Sequence, residues 1–172
     1  MLRKQKYESP ANIAKLLAYD PETGIFTWKV KRRGSPHGWK PIGTVAGSIW
    51  PDGYRVINVN GIRYRASWIA VVLMTGRWPT KQVDHKNRTK DDDRWKNLRT
   101  ATNGQNQANR GACKNNKLGV KGVCFEADRN RYKATIEIKG RSINLGRFKT
   151  ISEARLAYLA AATKYFGEFA GG

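Results

Sequence analysis

Apolar positions along this chain recur at two different spacings, and the switches between them mark out its elements. From Ala11 to Tyr19 the apolar residues Ile13, Leu16 and Leu17 fall at helical spacing, which predicts an opening helix. Asp20-Pro21-Glu22-Thr23-Gly24 then reads as a turn, because proline pre-sets φ and glycine takes a left-handed position without strain. Ile25–Val30 alternates as a strand does, and Lys31–Pro41, basic and holding His37, glycines and prolines, reads as a loop. Short strands are predicted over Gly43–Ile49, Tyr54–Val59 and Ile62–Ala66, with Asp52-Gly53 and Asn60-Gly61 as hairpin turns. Trp68–Thr75 is apolar nearly all round, so it predicts a buried helix stopped by Gly76.

Residues 82–110 form a compact pattern of their own. A strand begins at Val83, a polar loop spans Lys86–Lys96, a second strand covers Leu98–Thr100, and Thr102 caps a helix to about Asn109. This unit is too small to bury a core alone and is expected to pack on the preceding segment. Gly111–Gly119 is a linker rich in Lys, Asn and Gly. The pattern then restarts, with strands over Val120–Glu126, Arg131–Ile138 and Arg141–Phe148 and turns at Asp128–Asn130 and Lys139-Gly140. Thr150 with Glu153 makes a capping box for a helix over Ile151–Phe166 that ends at Gly167. The predicted class is α+β. One domain covers 1–110, with a β-rich part (1–80) and a strand–strand–helix core (81–110). After the linker, 120–172 forms a three-stranded antiparallel sheet packed on one helix.

Charge narrows the partners. The formal net charge is +20 over 172 residues. It is spread as 13 basic against 4 acidic side chains in residues 1–80, 8 against 4 in 81–110, and 12 against 5 in 111–172. Such a spread points to several surfaces facing one polyanion, and nucleic acid is the expected partner. The chain has neither an apolar stretch of bilayer length nor the apolar core of a signal peptide, so a cytoplasmic protein without membrane partners is expected. Cys113 and Cys124 lack zinc-ligand spacing and are too few for a disulfide framework, so both read as reduced thiols, with no zinc.

The chemistry concentrates at Asp84-His85, one of only two histidines lying directly beside a carboxylate. His85 is followed twelve residues later by Asn97, and Asn106 comes nine residues after that. A strand–strand–helix turn would bring these together. Asp84 then offers a charged oxygen and Asn106 a neutral carbonyl oxygen, a pair suited to a hard cation such as Mg²⁺, with Mn²⁺ an acceptable substitute. His85, next along the strand, faces the other way, toward an attacking water. An imidazole of ordinary pKa, about 6.5, is mostly neutral near pH 7, as a general base requires. Asn97 suits an orienting amide that bonds loop backbone and holds His85 in place. Asp91, Asp92 and Asp93, three acids in a polar loop, read as solvated.

Asp84-His85, then Asn97-Leu98-Arg99, then Gln105-Asn106 resembles the HNH endonucleases, in the subgroup of phage and intron-encoded homing enzymes. The resemblance extends upstream through Asp20–Trp28, Asp52-Gly53-Tyr54-Arg55-Val56 and Thr75-Gly76-Arg77-Trp78-Pro79. It implies a ββα-metal fold with one divalent cation, Asp84 and Asn106 as ligands, His85 as general base, Asn97 as the middle motif residue, and products bearing a 5′-phosphate and a 3′-hydroxyl. The chain departs from many relatives in having Ser67-Trp68 where His-Arg is usual, and Asn106 where the third motif residue is often histidine.

In the last segment, Arg131, Lys133, Thr135 and Glu137 share one face of their strand, while Tyr132, Ala134, Ile136 and Ile138 share the other. The apolar set is expected to lie against Ala154, Ala157, Tyr158, Ala161 and Tyr165 of the helix. That leaves the basic face for a DNA major groove, extended by Lys121, Arg129, Arg141, Asn144 and Arg147. Residues 119–170 also resemble the plant ethylene-response-factor (AP-two) DNA-binding domain, through Gly122-Val123, Tyr132-Lys133-Ala134, Leu145-Gly146-Arg147-Phe148, Glu153-Ala154, Ala160-Ala161 and Phe166-Gly167. Asn144 stands where tryptophan is usual, so the family's target sequence is not implied. The expectation is a metal-dependent DNA endonuclease of homing type, anchored by its C-terminal sheet and acting as a monomer or a dimer. The alternatives are a less specific phage nuclease for DNA degradation or packaging, and a non-catalytic DNA-binding regulator.

Overall fold

The computed structural model describes residues 7–33, 38–113 and 115–171. The chain divides into two compact units, residues 1–100 and 101–172. The described residues form a mixed α+β architecture of small antiparallel sheets and four α-helices.

The first unit opens with α1 (Pro10–Leu16), whose N-terminus is held by the Ser9 hydroxyl accepting from the Asn12 N–H, with proline at the first helical position. The expected helix to Tyr19 stops earlier. Leu17 already has extended dihedrals, and β1 (Leu17–Asp20) pairs antiparallel with β2 (Ile25–Trp28) around the Asp20–Gly24 turn. The ladder of a hairpin satisfies these backbone groups as well as another helical turn would, and it also buries Leu17 and Phe26. Part of the expected 31–41 loop is a short antiparallel pair, β3 (Arg32–Arg33) with β4 (Trp39–Lys40); His37 and its neighbours at 34–36 lie outside the described residues.

Of the expected strand 43–49, only β5 (Ser48–Ile49) joins the sheet with β6 (Arg55–Val59) and β7 (Ile62–Arg65), while Val45 makes a single bridge to Thr27. The Asn60-Gly61 turn has φ of 52° and 83°, the left-handed pair that a two-residue hairpin needs. α2 (Ala66–Thr75) starts two residues earlier than its apolar run and ends at Gly76 in left-handed geometry. The core gathers Ile13, Leu17, Phe26, Trp28, Ile57, Val59, Tyr64 and the buried face of α2. Each large side chain contributes roughly 1.5–3 kcal/mol by leaving water. Trp78, from the motif after α2, stacks on Tyr64 at 5.1 Å and donates to the Glu8 carbonyl. β8 (Gln82–His85) and β9 (Leu98–Ala101) form a two-stranded sheet.

The second unit begins with α3 (Asn103–Asn109), opened by a full capping box between Thr102 and Gln105. β10 (Val123–Glu126), β11 (Arg131–Ile138) and β12 (Arg141–Phe148) follow in antiparallel order, and α4 (Ile151–Phe166) covers one face. Ala134 packs with Ala154, and Ile136 with Tyr158 and Ala162. Tyr165, expected in this contact, is exposed, and Ala162 takes the inward place. No helix among the described residues is long and apolar enough to cross a membrane.

Candidate active site

Asp84 and His85 are consecutive on β8, so their side chains leave the strand in opposite directions. Both are nonetheless buried, at 6 % and 4 % exposure. On one side Arg99, from β9, brings Nε and Nη2 to Asp84 Oδ2, each at 2.9 Å. That ion pair is almost fully withdrawn from water, so each charge is the other's compensation. On the other side His85 Nε2 lies 3.0 Å from Asp93 Oδ1, and the Tyr54 ring tilts against the imidazole at 5.8 Å. A carboxylate only accepts, so in the neutral imidazole Nε2 is the nitrogen that carries the proton and the lone pair falls to Nδ1. This tautomer suits a base whose reacting nitrogen is Nδ1.

The loop between the two strands is stitched together by Asn97, at the end of a 3₁₀ turn (Trp95–Asn97). Its Oδ1 accepts from the Asn87 N–H at 3.0 Å, and its Nδ2 donates to Asn87 Oδ1 at 3.0 Å and to the Asp92 carbonyl at 2.8 Å. Asp92 accepts from Arg94 Nε and Nη2, both at 2.6 Å, and from Asn87 Nδ2 at 2.6 Å. The Arg94 hydrogen bonds, opposed by some desolvation and aided by Asn87, hold the Asp92 carboxyl down at about 2. Its stabilising contribution is complete above the ordinary carboxylate value of about 4 and is lost as pH falls through about 2. Melting temperature is therefore expected to drop across that window, and an Asp92→Asn variant, already lacking the contribution, to drop less.

Two upstream turns brace this loop from outside. Tyr19 donates its hydroxyl to the Asp93 carbonyl at 2.7 Å, and burial, followed by the nearby Asp93 charge, pushes its phenol up, so it stays protonated. The Trp95 N–H reaches the Pro21 carbonyl at 2.9 Å. Gly24 has φ +74°, and a Cβ there would lie 2.6 Å from Arg94 N and 2.7 Å from the Asp93 carbonyl carbon. Gly24→Ala is thus expected to destabilise by more than the roughly 1–2 kcal/mol of a left-handed residue alone. It should also depress any activity that depends on Asp93, which a thermal melt paired with an activity assay would detect. From the second turn, the Asp52 carbonyl accepts from Lys90 Nζ at 2.8 Å, and its carboxylate pairs with Arg65 Nη2 at 2.8 Å. Arg65 lies over the Tyr54 ring at 3.8 Å, on the residue that contacts His85.

Two residues in this constellation escape a reading of the sequence. Asp93, grouped there with Asp91 and Asp92 as solvated, is 2 % exposed and is the partner of His85. Its second oxygen, Oδ2, is buried without a hydrogen-bond partner among the described residues. Arg99 stands inside the Asn-Leu-Arg motif without an assigned role, yet it holds Asp84. The structure brings Asp84, His85 and Asn97 into one unit, whereas Asn106 lies on α3 of the second. Among the described residues no cluster of three or more His, Cys, Asp or Glu is placed to hold a metal.

In the second unit, Lys133, Thr135, Asn144 and Arg147 share one face by register, since Lys133 pairs with Arg147 and Thr135 with Asn144, across a bulge at Ala134/Thr135. Arg131 lies on the same side, two residues from Lys133 along β11. Two of the expected contacts, Lys121 and Arg141, need revision. Lys121 is turned away to the end of α3, where Nζ donates to the carbonyls of Gln107, Ala108 and Arg110 at 2.9, 2.5 and 2.6 Å. Arg141 pairs with Ile138 and so belongs to the apolar side. Arg147 is bound to Glu126 at 2.6 Å, with Lys133 3.7 Å from the same carboxylate, which lowers the net charge of this face. Those Arg147 hydrogen bonds hold the Glu126 carboxyl below its usual range. Arg129 is exposed beside Asp128.

Residues 64–108 match the family model described as HNH endonuclease. The match spans Asp84, His85, Asp93, Asn97, Arg99 and Asn106 and supports an HNH nuclease, an enzyme that acts on DNA and in general depends on a divalent metal. No curated protein and no solved structure matches the chain.

Proposed function

We propose that the chain is a DNA endonuclease of homing type, hydrolysing phosphodiesters to a 5′-phosphate and a 3′-hydroxyl. The observation that carries this reading is the buried His85–Asp93 pair inside the segment that matches the HNH endonucleases. His85 takes the proton of the attacking water at Nδ1, and Asp93 stabilises the imidazolium that results. Asn97 keeps the loop closed so that Asp93 stays in place, and Arg99 fixes the Asp84 carboxylate. The donor chemistry fits a hard cation: Asp84 offers a carboxylate oxygen and Asn106 an amide oxygen, the set that Mg²⁺ or Mn²⁺ takes alongside water and phosphate. When bound, the cation would offset charge on the phosphate and leaving oxygen.

The C-terminal sheet anchors the protein on double-stranded DNA, through Arg131, Lys133, Thr135, Asn144 and Arg147 with Arg129 at the margin. A three-stranded antiparallel sheet backed by one helix, with polar side chains on its uncovered face, supports this reading. Incubating supercoiled plasmid with the protein and Mg²⁺ and then adding DNA ligase tests the chemistry. Nicked circles that ligase reseals without prior phosphorylation are expected. Nicks that resist sealing would rule out the assigned products.

A further inference from the structure

The first unit carries a second feature, separate from the residues around His85. The outward face of the β5–β6–β7 sheet presents Asn58 and Arg63, paired in register, and faces a wall made by Trp28, Arg32 and Lys40. Between them lies an open cleft of about 260 Å³ with Trp50 at its side. Among the described residues its lining holds three cations and no carboxylate. Arg32 sits 3.7 Å above the Trp28 ring and Arg63 5.0 Å from the Trp50 ring. Among the described residues none of the three cations is ion-paired. Burial without a counter-charge pushes the Arg32 guanidinium below its ordinary value. A desolvated cation with no protein anion beside it is stabilised by an anion from outside. The cleft is small for a free drug-sized ligand, and its aromatic side offers a flat face to a base or sugar.

We infer that this cleft is a phosphate-binding site for a nucleic-acid strand, seating one backbone phosphate among Arg32, Lys40 and Arg63 with the adjoining nucleoside against Trp50. The site holds DNA without taking part in hydrolysis, and it rests on the reading of DNA as the partner. The test compares the full-length protein with Arg32→Ala/Lys40→Ala/Arg63→Ala and with a charge-matched control, Lys15→Ala/Arg155→Ala/Lys164→Ala. Binding to a labelled duplex is followed by fluorescence anisotropy in EDTA across a salt series. The cleft variant is expected to weaken binding at least tenfold and to flatten the slope of log K against log salt by about one to two, while the control changes the slope by clearly less. Lys40→Glu, a single exposed change that leaves the core untouched, should weaken binding in the same direction. Nicking at saturating DNA should proceed at the wild-type rate in the cleft variant.

Equal slopes for cleft variant and control would overturn the inference, as would wild-type binding by Lys40→Glu. A wild type that binds with the expected cleft dependence yet never nicks would leave the cleft standing and remove the nuclease reading. A wild type that fails to bind duplex at low salt would remove both.

Discussion

His85→Ala is expected to lower DNA cleavage by about a hundred- to ten-thousandfold, the range a positioned general base contributes, while duplex binding persists. The substitution removes the nitrogen that takes the water's proton. It also strips Asp93 of its partner, leaving a buried carboxylate unsatisfied at a cost of about 1–3 kcal/mol or more. His85→Gln separates these two consequences, because its amide can still donate toward Asp93 while offering no base. Both variants should show that loss of cleavage, with Gln melting closer to wild type than Ala. Single-turnover cleavage at saturating DNA, alongside anisotropy and a thermal melt, reads all three quantities. Cleavage by His85→Gln at the wild-type rate would take the role of base away from His85.

A fragment ending at residue 110, where the sequence alone would close the nuclease, is expected to lose at least about a hundredfold in cleavage even when DNA is saturating. The reason is α3. It has only seven residues, too few to stand alone in water, and its support comes from the second unit. Lys121 satisfies three carbonyls at its C-terminal end, the Gly171 N–H adds a bond to the Ala108 carbonyl, and the helix packs on α4 and the 3₁₀ turn at Gly167–Phe169. Truncation removes every one of these, so Asn106 loses a fixed position. Lys121→Ala in the full-length chain is the milder form of the same change and should raise the Mg²⁺ concentration needed for half-maximal rate, with Lys121→Arg restoring part of it. If the 1–110 fragment cuts at the wild-type rate once DNA is saturating, the second unit only anchors.

Much of this fold is legible where local pattern and tertiary structure agree. β11, β12 and α4 follow the sequence residue for residue, because strict alternation, a lysine–glycine turn and a capping box all favour the same answer. The opening helix runs too long on paper because Leu17 suits either a helix or a strand, and pairing with Trp28 decides between them. Lys121 looks like one more basic residue until α3 places three carbonyls within its reach. Asp93 illustrates the limit at the site itself. Three consecutive aspartates are chemically identical, and only the loop's closure determines which one turns inward. The one signal present is Arg94, which claims Asp92 through local hydrogen bonds. Arg99 carries no such local signal, because its role depends on the burial of Asp84 and on the pairing of β8 with β9, which only the folded chain shows.

The measurement that bears most directly on the Asp84–His85 centre is conversion of supercoiled plasmid to nicked circles by the wild-type protein with Mg²⁺ or Mn²⁺, against the same reaction in EDTA. Nicking that requires the cation and disappears with EDTA is the expected result. A folded wild type that binds the plasmid tightly and leaves it intact with either cation would contradict the assignment and make the chain a DNA-binding protein without hydrolytic chemistry.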